Sequence, residues 1–437
     1  MTTRYQRALA RLYALQSRGI RLGATRMESA LALRGHPERG QVFIHVGGTN
    51  GKGSVSAMIA QCLRAAGLRT GLFTSPHLHR YVERVRIDGK PIGQREATAR
   101  IEDLLETFSK PGAPDTTFFE LTTLLAIEAF RDHGCDVVVL EVGLGGRLDA
   151  TNAVKTAVSV ITRVARDHTQ VLGETLAEIA GEKAGILRHG VPAVIGVRDA
   201  SALRVIEAQA RRVKAPLYRI DRDFGVTRTS DGRFDTHAFG HTLNGVKLAL
   251  LGEHQLDNVA CAVAALRVFD ERFVKRGLAV PEAALRRGFA TVRWPARLEY
   301  LKARPGRPTV LLDAAHNQDG ADALARHLRS HPTRGGKRVL VFGALADKEY
   351  GSMLRSLASQ CDEVIVCEPN ISRAAPLSRL VRVARRAKRA GSTAAALRAA
   401  RRLAGARGEI VVAGSIFLVA EARALLLGVR TDPPIRM

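Results

Sequence analysis

Apolar and polar positions along this chain switch repeatedly between two periods. In residues 4–17, Leu9, Leu12, Tyr13 and Gln16 fall along one side, which predicts an N-terminal helix. From Val42 onward, short continuous apolar runs predict buried strands at 42–46, 70–75, 136–142, 156–162 and 191–197. Between them, helical spacing predicts helices at 54–66, 118–132, 175–187 and 202–213. Strands alternating with helices in this rhythm imply a mainly parallel, doubly wound sheet. Residues 217–250 break the rhythm with short alternating segments and the turn Ser230-Asp231-Gly232, which predicts a small antiparallel appendage. Helices at 255–269 and 282–290 follow, the second with Pro281 near its start.

The stretch Arg293-Trp294-Pro295-Ala296-Arg297 fits neither period, and a new series begins after it. Strands are predicted near 308–314, 338–344, 363–368 and 409–414, alternating with helices at 319–330, 350–359, 377–389, 393–404 and 416–427. The expected organisation is α/β throughout: residues 1–297 as one doubly wound domain with the appendage, and 298–437 as a second, Rossmann-like domain.

Composition narrows the class. With 437 residues and 46% hydrophobic content, the chain can fill two or three ordinary cores. No apolar run is long enough to cross a bilayer, and the Arg-rich N-terminus lacks a signal peptide's apolar centre. Cys62, Cys135, Cys261, Cys361 and Cys367 are scattered, odd in number and mostly within apolar segments. They read as reduced core residues of a cytoplasmic protein. The formal net charge of +25 suggests nucleic acid. However, the basic residues are spread over the whole chain, and six Tyr and one Trp offer little to stack on bases. Runs such as Arg382 to Arg389 and Arg398 to Arg402 read as solvated helix faces. An anionic small substrate fits the charge equally well, so the expected partners are small molecules, with no nucleic acid and no membrane.

The most specific chemistry lies in Gly47-Gly48-Thr49-Asn50-Gly51-Lys52-Gly53-Ser54, between a predicted strand and a predicted helix. Small residues let backbone N–H groups approach phosphate oxygens, the helix N-terminus adds partial positive charge, and Lys52 adds a full one. The strict P-loop pattern is not met, because Val46 holds the first glycine position and Gly53 follows the lysine. Glu141 ends the run Val137-Val138-Val139-Leu140 before a glycine-rich turn, where a Mg²⁺ ligand belongs in a nucleotide enzyme; its structural alternative is a pair with Arg147. Ser75 ends another strand and could ligate the same ion. Taken singly, His168 in Asp167-His168-Thr169 reads as a hydrogen-bonded structural histidine, and Lys183 as a lysine reaching solvent from a buried helix. Thr117-Phe118-Phe119-Glu120 fits a capping box. Asp313 and His316 in Leu312-Asp313-Ala314-Ala315-His316-Asn317 place an acid and a histidine at another strand end.

Together these motifs resemble folylpolyglutamate synthase, including the bifunctional bacterial dihydrofolate synthase form, within the Mur ligase superfamily. The matching segments are GTNGKGS at 48–54, TSPHL at 74–78, Glu-Arg-Val-Arg-Ile at 83–87, LEVGLGGRLDATN at 140–152 and DHT at 167–169. GEKAGI at 181–186, GEHQLDN at 252–258, LDAAHN at 312–317 and AGS at 413–415 continue the match in the same order. The family's phosphate loop also carries Gly after the lysine. The resemblance implies an ATP-binding first domain, a second domain of glutamate-ligase type, and an ATP-dependent amide ligase working through an acyl phosphate on folate or pteroate. It implies ATP contacts at Thr49, Asn50, Gly51, Lys52, Gly53, Ser54, Asn258, Arg297 and Asp313. Magnesium, as two ions, would be held by Ser75, Glu141, His168 and a carbamylated Lys183, which reverses both single-residue readings. Leu22, Gly23, Thr117, Phe118, Phe119, Glu120, Leu148, Asp149 and Ala150 would border the pterin, and His316 would orient the acyl phosphate or glutamate. The expected assembly is a monomer. One departure stands out: Ile20-Arg21-Leu22-Gly23 carries arginine where bifunctional members have an acidic residue, which bears on dihydropteroate as first substrate. A muropeptide ligase is the rival within the class, but only about 46 residues precede the loop, too few for a further sugar-nucleotide domain. Outside the class, the rival is a P-loop ATPase acting on nucleic acid.

Overall fold

The computed structural model describes residues 2–18, 23–301, 305–333 and 335–433. It forms two compact units. The first comprises Met1–His77, Tyr81–Ala249 and Gln255–Arg293, and the second Leu78–Arg80, Leu250–His254 and Trp294–Met437.

The first unit is built on β1 (Phe43–Gly47), β2 (Thr70–Phe73), β3 (Val85–Ile87), β4 (Lys90–Pro91), β5 (Val137–Glu141), β6 (Thr156–Ile161), β7 (Ala193–Ile195) and β8 (Leu217–Arg219). The sheet order is β4-β3-β2-β5-β1-β6-β7-β8, parallel from β2 to β8 with an antiparallel edge at β3 and β4. Every residue of β1, β5 and β6 is buried, as expected of parallel strands covered on both faces. That double burial explains why their sequences read as continuous apolar runs. A separate antiparallel sheet is formed by β9 (Phe224–Arg228), β10 (Phe234–Ala238) and β11 (His241–Val246).

The second unit holds β12 (Glu299–Leu301), β13 (Thr309–Leu312), β14 (Arg338–Phe342), β15 (Glu363–Cys367), β16 (Lys388–Ala390) and β17 (Glu409–Ala413). Their order is β12-β13-β17-β14-β15-β16, parallel except for β12. Two apolar clusters pack against this sheet, one through Leu397 and Leu418 and the other through Leu324, Leu354 and Leu380. Among the described residues, no helix is long and apolar enough to cross a membrane.

The structure corrects several sequence expectations. The helix predicted at 377–389 ends at Val383, and Lys388–Ala390 is the edge strand β16. The basic run Arg382 to Arg389 is therefore not one helix face. Lys388 and Arg389 are exposed on an edge strand, where charge blunts unwanted pairing. Residues 217–219 are not part of the antiparallel appendage, because β8 extends the large parallel sheet beside β7. Two long helices, Ala24–Leu33 and Gln94–Thr107, and the short helix Thr169–Leu172 were not predicted. The helix Gln94–Thr107 buries Ala97, Ile101 and Leu104, a helical spacing that its charged neighbours obscured.

Candidate active site

Four adjacent parallel strands end side by side in the first unit. Ser75 follows β2, Glu141 closes β5, the phosphate loop follows β1, and Asp167-His168 follows β6. Ligands of such sheets collect beyond the carboxyl ends of the strands.

The loop is held open by its own backbone. Gly48 and Gly51 have φ of 140° and 89°, and a Cβ at either would overlap Thr162 Oγ1 or Asn258 Oδ1. A side chain at either position would collide with the residues that brace the loop, so only glycine lets it lie this close to them. Thr49 N–H donates to the Arg163 carbonyl at 2.5 Å, and its hydroxyl exchanges bonds with Ala165 at 3.0 and 3.1 Å. Thr162 Oγ1 donates to the Asn50 carbonyl at 2.7 Å. These contacts tie the loop to the segment after β6. Lys52 opens the helix Lys52–Ala65 and is followed by Gly53 and Ser54, both buried in its first turn. Gln255 Nε2 reaches Ser54 Oγ at 3.5 Å, and Asn258 Nδ2 donates to Gln255 Oε1 at 2.8 Å.

Two lysines converge on this loop. Lys52 Nζ donates to the Gly48 and Thr49 carbonyls at 3.1 Å, and Lys183 Nζ donates to the same Gly48 carbonyl at 3.1 Å. Lys183 is 3% exposed, so it does not reach solvent as the single-residue reading expected. Its helix, Leu176–Ala184, starts with a Thr175 capping box. Burial, reinforced by repulsion from Lys52, pushes its pKa down to about 7, against the pull of Asp167, Asp149 and Glu182. Its position is set by the glycine-rich turn. Arg147 N–H donates to the Glu182 carbonyl at 2.8 Å, and Asn152 Nδ2 donates to the Arg147 and Gly185 carbonyls at 3.0 Å.

Glu141 is 5% exposed, and its Oε2 accepts the Ser75 N–H at 3.1 Å. That brings two of the candidate metal ligands together. His168 adopts φ 51°, ψ 39° at the start of the short helix Thr169–Leu172, and its N–H donates to Asp167 Oδ1 at 2.9 Å. Among the described residues, no three His, Cys, Asp or Glu side chains close into a metal cage. Mg²⁺ suits such a place, since it takes one or two carboxylates and fills its octahedron with water and substrate phosphate. The buried Glu141 carboxylate, beside Ser75 and an open anion cradle, fits that demand.

The residues expected around the pterin fall into linked groups. Thr117 and Glu120 form the predicted capping box, with Glu120 N–H to Thr117 Oγ1 at 3.3 Å and Thr117 N–H to Glu120 Oε2 at 2.7 Å. Glu120 also pairs with Arg26 at 3.1 Å. Phe118 packs edge-on against Tyr13 and Tyr81, and Phe119 lies against Phe73 and Gly143. Gly23 N–H donates to the Leu148 carbonyl at 3.2 Å, joining two segments far apart in sequence. Arg21 and Leu22 lie outside the described residues. Asp149 is buried, and its carboxylate accepts from Leu144 N–H and from both the N–H and hydroxyl of Thr151. Burial raises its pKa against those donors. Its contacts hold the turn, and Ala150 is buried beside it.

In the second unit, Asp313 follows β13 and accepts from Leu298 N–H at 2.8 Å and Ala315 N–H at 2.9 Å. His316 Nδ1 lies 2.9 Å from the Ala314 carbonyl, to which it donates. Arg297 Nη1 reaches the Ala296 carbonyl at 3.4 Å. Asn317 and Ser415 cap the helices Gln318–Ser330 and Ile416–Leu427, so two helix N-termini open at this end of the sheet.

Sequence reasoning singled out neither Thr162 nor Gln255, although both brace the phosphate loop. Gln255 and Asn258 are three apart on one helix, a spacing that could have paired them. Thr162 carries no local signal, because its partner lies more than a hundred residues earlier.

Residues 46–266 match the Mur ligase middle domain, and residues 296–416 match the Mur ligase, glutamate ligase domain. The dihydrofolate synthase/folylpolyglutamate synthase of Bacillus subtilis is 35% identical over 366 residues, covering 82% of this chain and 83% of the relative. Escherichia coli FolC in complex with DHPP and ADP superposes with a TM-score of 0.87 at 33% identity, covering 96% of this chain and 97% of that one. The bifunctional folylpolyglutamate synthase/dihydrofolate synthase of Yersinia pestis, complexed with AMPPNP and Mn ion, also gives 0.87 at 33% identity, covering 97% and 98%. By domain matches, sequence and fold alike, this chain belongs to the folylpolyglutamate synthase/dihydrofolate synthase family of the Mur ligase superfamily.

Proposed function

We propose that this protein is an ATP-dependent ligase that joins the amino group of L-glutamate to the carboxylate of dihydropteroate or a reduced folate, through an acyl phosphate. The observation that carries this reading is the glycine cradle with Lys52 and Lys183 on one carbonyl, beside the Ser75–Glu141 pair. A transferring phosphoryl group and a carboxylate nucleophile repel one another, so cations and N–H donors must be in place before they meet. Lys52 and the amides of residues 50–54 take the phosphate oxygens, on a loop that the Thr49 N–H ties to the Arg163 carbonyl. Asn258, Arg297 and Asp313 are assigned to the nucleotide. Ser75, Glu141, His168 and Lys183, the last as a carbamate, are assigned to magnesium. Magnesium, as two ions, supplies further charge neutralisation to the transferring phosphate when bound. His316 is assigned to orienting the acyl phosphate or the incoming glutamate. Gly23, residues 117–120 and residues 148–150 are assigned to the pterin side. The protein is taken as a cytoplasmic monomer.

ADP release measured with each component left out in turn tests this function. Turnover should require ATP, glutamate and a pteroate or folate acceptor together, and should yield an amide. Turnover that ignores glutamate and rises with DNA or RNA would overturn the assignment. Turnover with a UDP-sugar peptide in place of folate would favour the muropeptide ligases.

Arg21 bears on the acceptor. If its charge selects against dihydropteroate, Arg21→Asp should raise the ratio of kcat/KM for dihydropteroate to that for a preformed folate. An unchanged ratio would place the preference elsewhere.

A further inference from the structure

Arg84 is a cation buried where the proposed chemistry has no direct use for one. It is 3% exposed, and burial holds its pKa below the usual arginine range, partly offset by Tyr13, Tyr81, Glu141 and Glu83. A buried guanidinium costs several kcal/mol in desolvation unless its surroundings repay it. Three contacts describe those surroundings. The Arg84 carbonyl accepts the Thr74 N–H at 3.0 Å. Its Nε donates to His77 Nδ1 at 2.9 Å, which fixes His77 as neutral with its proton on Nε2. Its guanidinium carbon stands 5.3 Å from the centre of the Phe118 ring, within cation–π range. The chain at 84 therefore meets this segment twice, through its backbone at 74 and through the guanidinium at 77. Between those two points lies Ser75, whose N–H binds Glu141 Oε2 at 3.1 Å.

We propose that Arg84 is the positioning residue of the metal-binding arm, clamping the turn at residues 74–77 so that Ser75 and Glu141 are presented together. This rests on the reading of Ser75 and Glu141 as metal ligands. Arg84 touches neither phosphate nor metal in this scheme, and its side chain acts through His77. Its contact with Phe118 also ties the arm to the aromatic wall assigned to the pterin.

The test is Mn²⁺ binding, followed by electron paramagnetic resonance in the presence of a non-hydrolysable ATP analogue, for wild type, Arg84→Lys and His77→Leu. The lysine keeps the charge but has no fixed fork with which to reach His77. The leucine removes the acceptor and leaves Arg84 in place. Outer-shell partners of metal ligands typically contribute about 10- to 100-fold to metal affinity. Mn²⁺ affinity should fall by at least about 10-fold in Arg84→Lys and by less in His77→Leu, while binding of the analogue without metal stays near wild type. The KM for Mg²⁺ should rise in step. A merely structural role would lower Tm and leave Mn²⁺ affinity of the folded protein unchanged, which would overturn the proposal. If Arg84→Lys fails to fold, wild-type Mn²⁺ affinity in His77→Leu overturns it equally. A wild-type protein that binds Mn²⁺ with the analogue yet forms no amide would sink the ligase reading, while the variants would still decide the role of Arg84.

Discussion

Lys52→Ala is expected to lower kcat by at least about 10²-fold, the loss usual for one preorganised group at a developing charge. The lysine opens a helix and folds back on the Gly48 and Thr49 carbonyls, so it waits at the lip of the cradle. Binding of ATP should pull it from those carbonyls to the phosphate oxygens. Its removal should leave Tm near wild type, because Thr49 and Thr162 still pin the loop to the segment after β6. A second consequence follows from the shared carbonyl. Without Lys52, the repulsion that helps depress Lys183 is gone, and the Lys183 pKa should rise. Steady-state ADP release and a thermal melt check the first two effects. Turnover within a few-fold of wild type would mean that the loop does not act on phosphate.

Lys183→Ala and Lys183→Arg are both expected to be nearly inactive, because the working form proposed for this residue is a carbamate. Carbamylation forms an N–C bond between the amine and CO₂ and releases one proton, so it needs the neutral amine. Burial and Lys52 bring the pKa to about 7, which leaves much of the amine unprotonated at neutral pH. The product is a hard oxygen donor of the kind Mg²⁺ accepts. Arginine keeps positive charge and cannot make this exchange. Removing bicarbonate should lower wild-type activity reversibly, and a short carboxylic acid should restore part of the rate to the alanine variant. A fully active arginine variant would return Lys183 to a structural role. The same shift makes a stability prediction in CO₂-free buffer. The folded pKa lies below the unfolded one, so between pH of about 7 and 10.5 the unfolded chain binds the extra proton. Wild-type stability should therefore rise with pH across that window relative to Lys183→Met, and the two should run parallel below it.

The features legible in the sequence were those whose cause is local. The phosphate loop combines glycine spacing, a lysine and a change of hydrophobic period within a dozen residues. The capping box at Thr117 and Glu120 follows from three-residue spacing alone, and the structure forms it. The continuous apolar runs of β1, β5 and β6 announced burial on both faces. Other features depend on tertiary contact. Nothing near Lys183 in sequence says that its amine lies against Gly48, 135 residues earlier, and its burial reverses the solvent-reaching reading. Arg84 appeared only inside a motif, since neither of its neighbours indicates that β2 and the start of the helix Phe118–Asp132 enclose it. The helix predicted over 377–389 failed because arginine suits a helix face and an exposed edge strand alike.

The central claim is that ATP activates the folate or pteroate carboxylate for attack by glutamate. It is tested most directly by labelling that carboxylate with oxygen-18 and following the label through a single turnover. An acyl phosphate must hand one carboxylate oxygen to the departing phosphate. Mass spectrometry should therefore find oxygen-18 in the inorganic phosphate, in proportion to the amide formed. Phosphate free of label, alongside stoichiometric ADP and amide, would contradict the account.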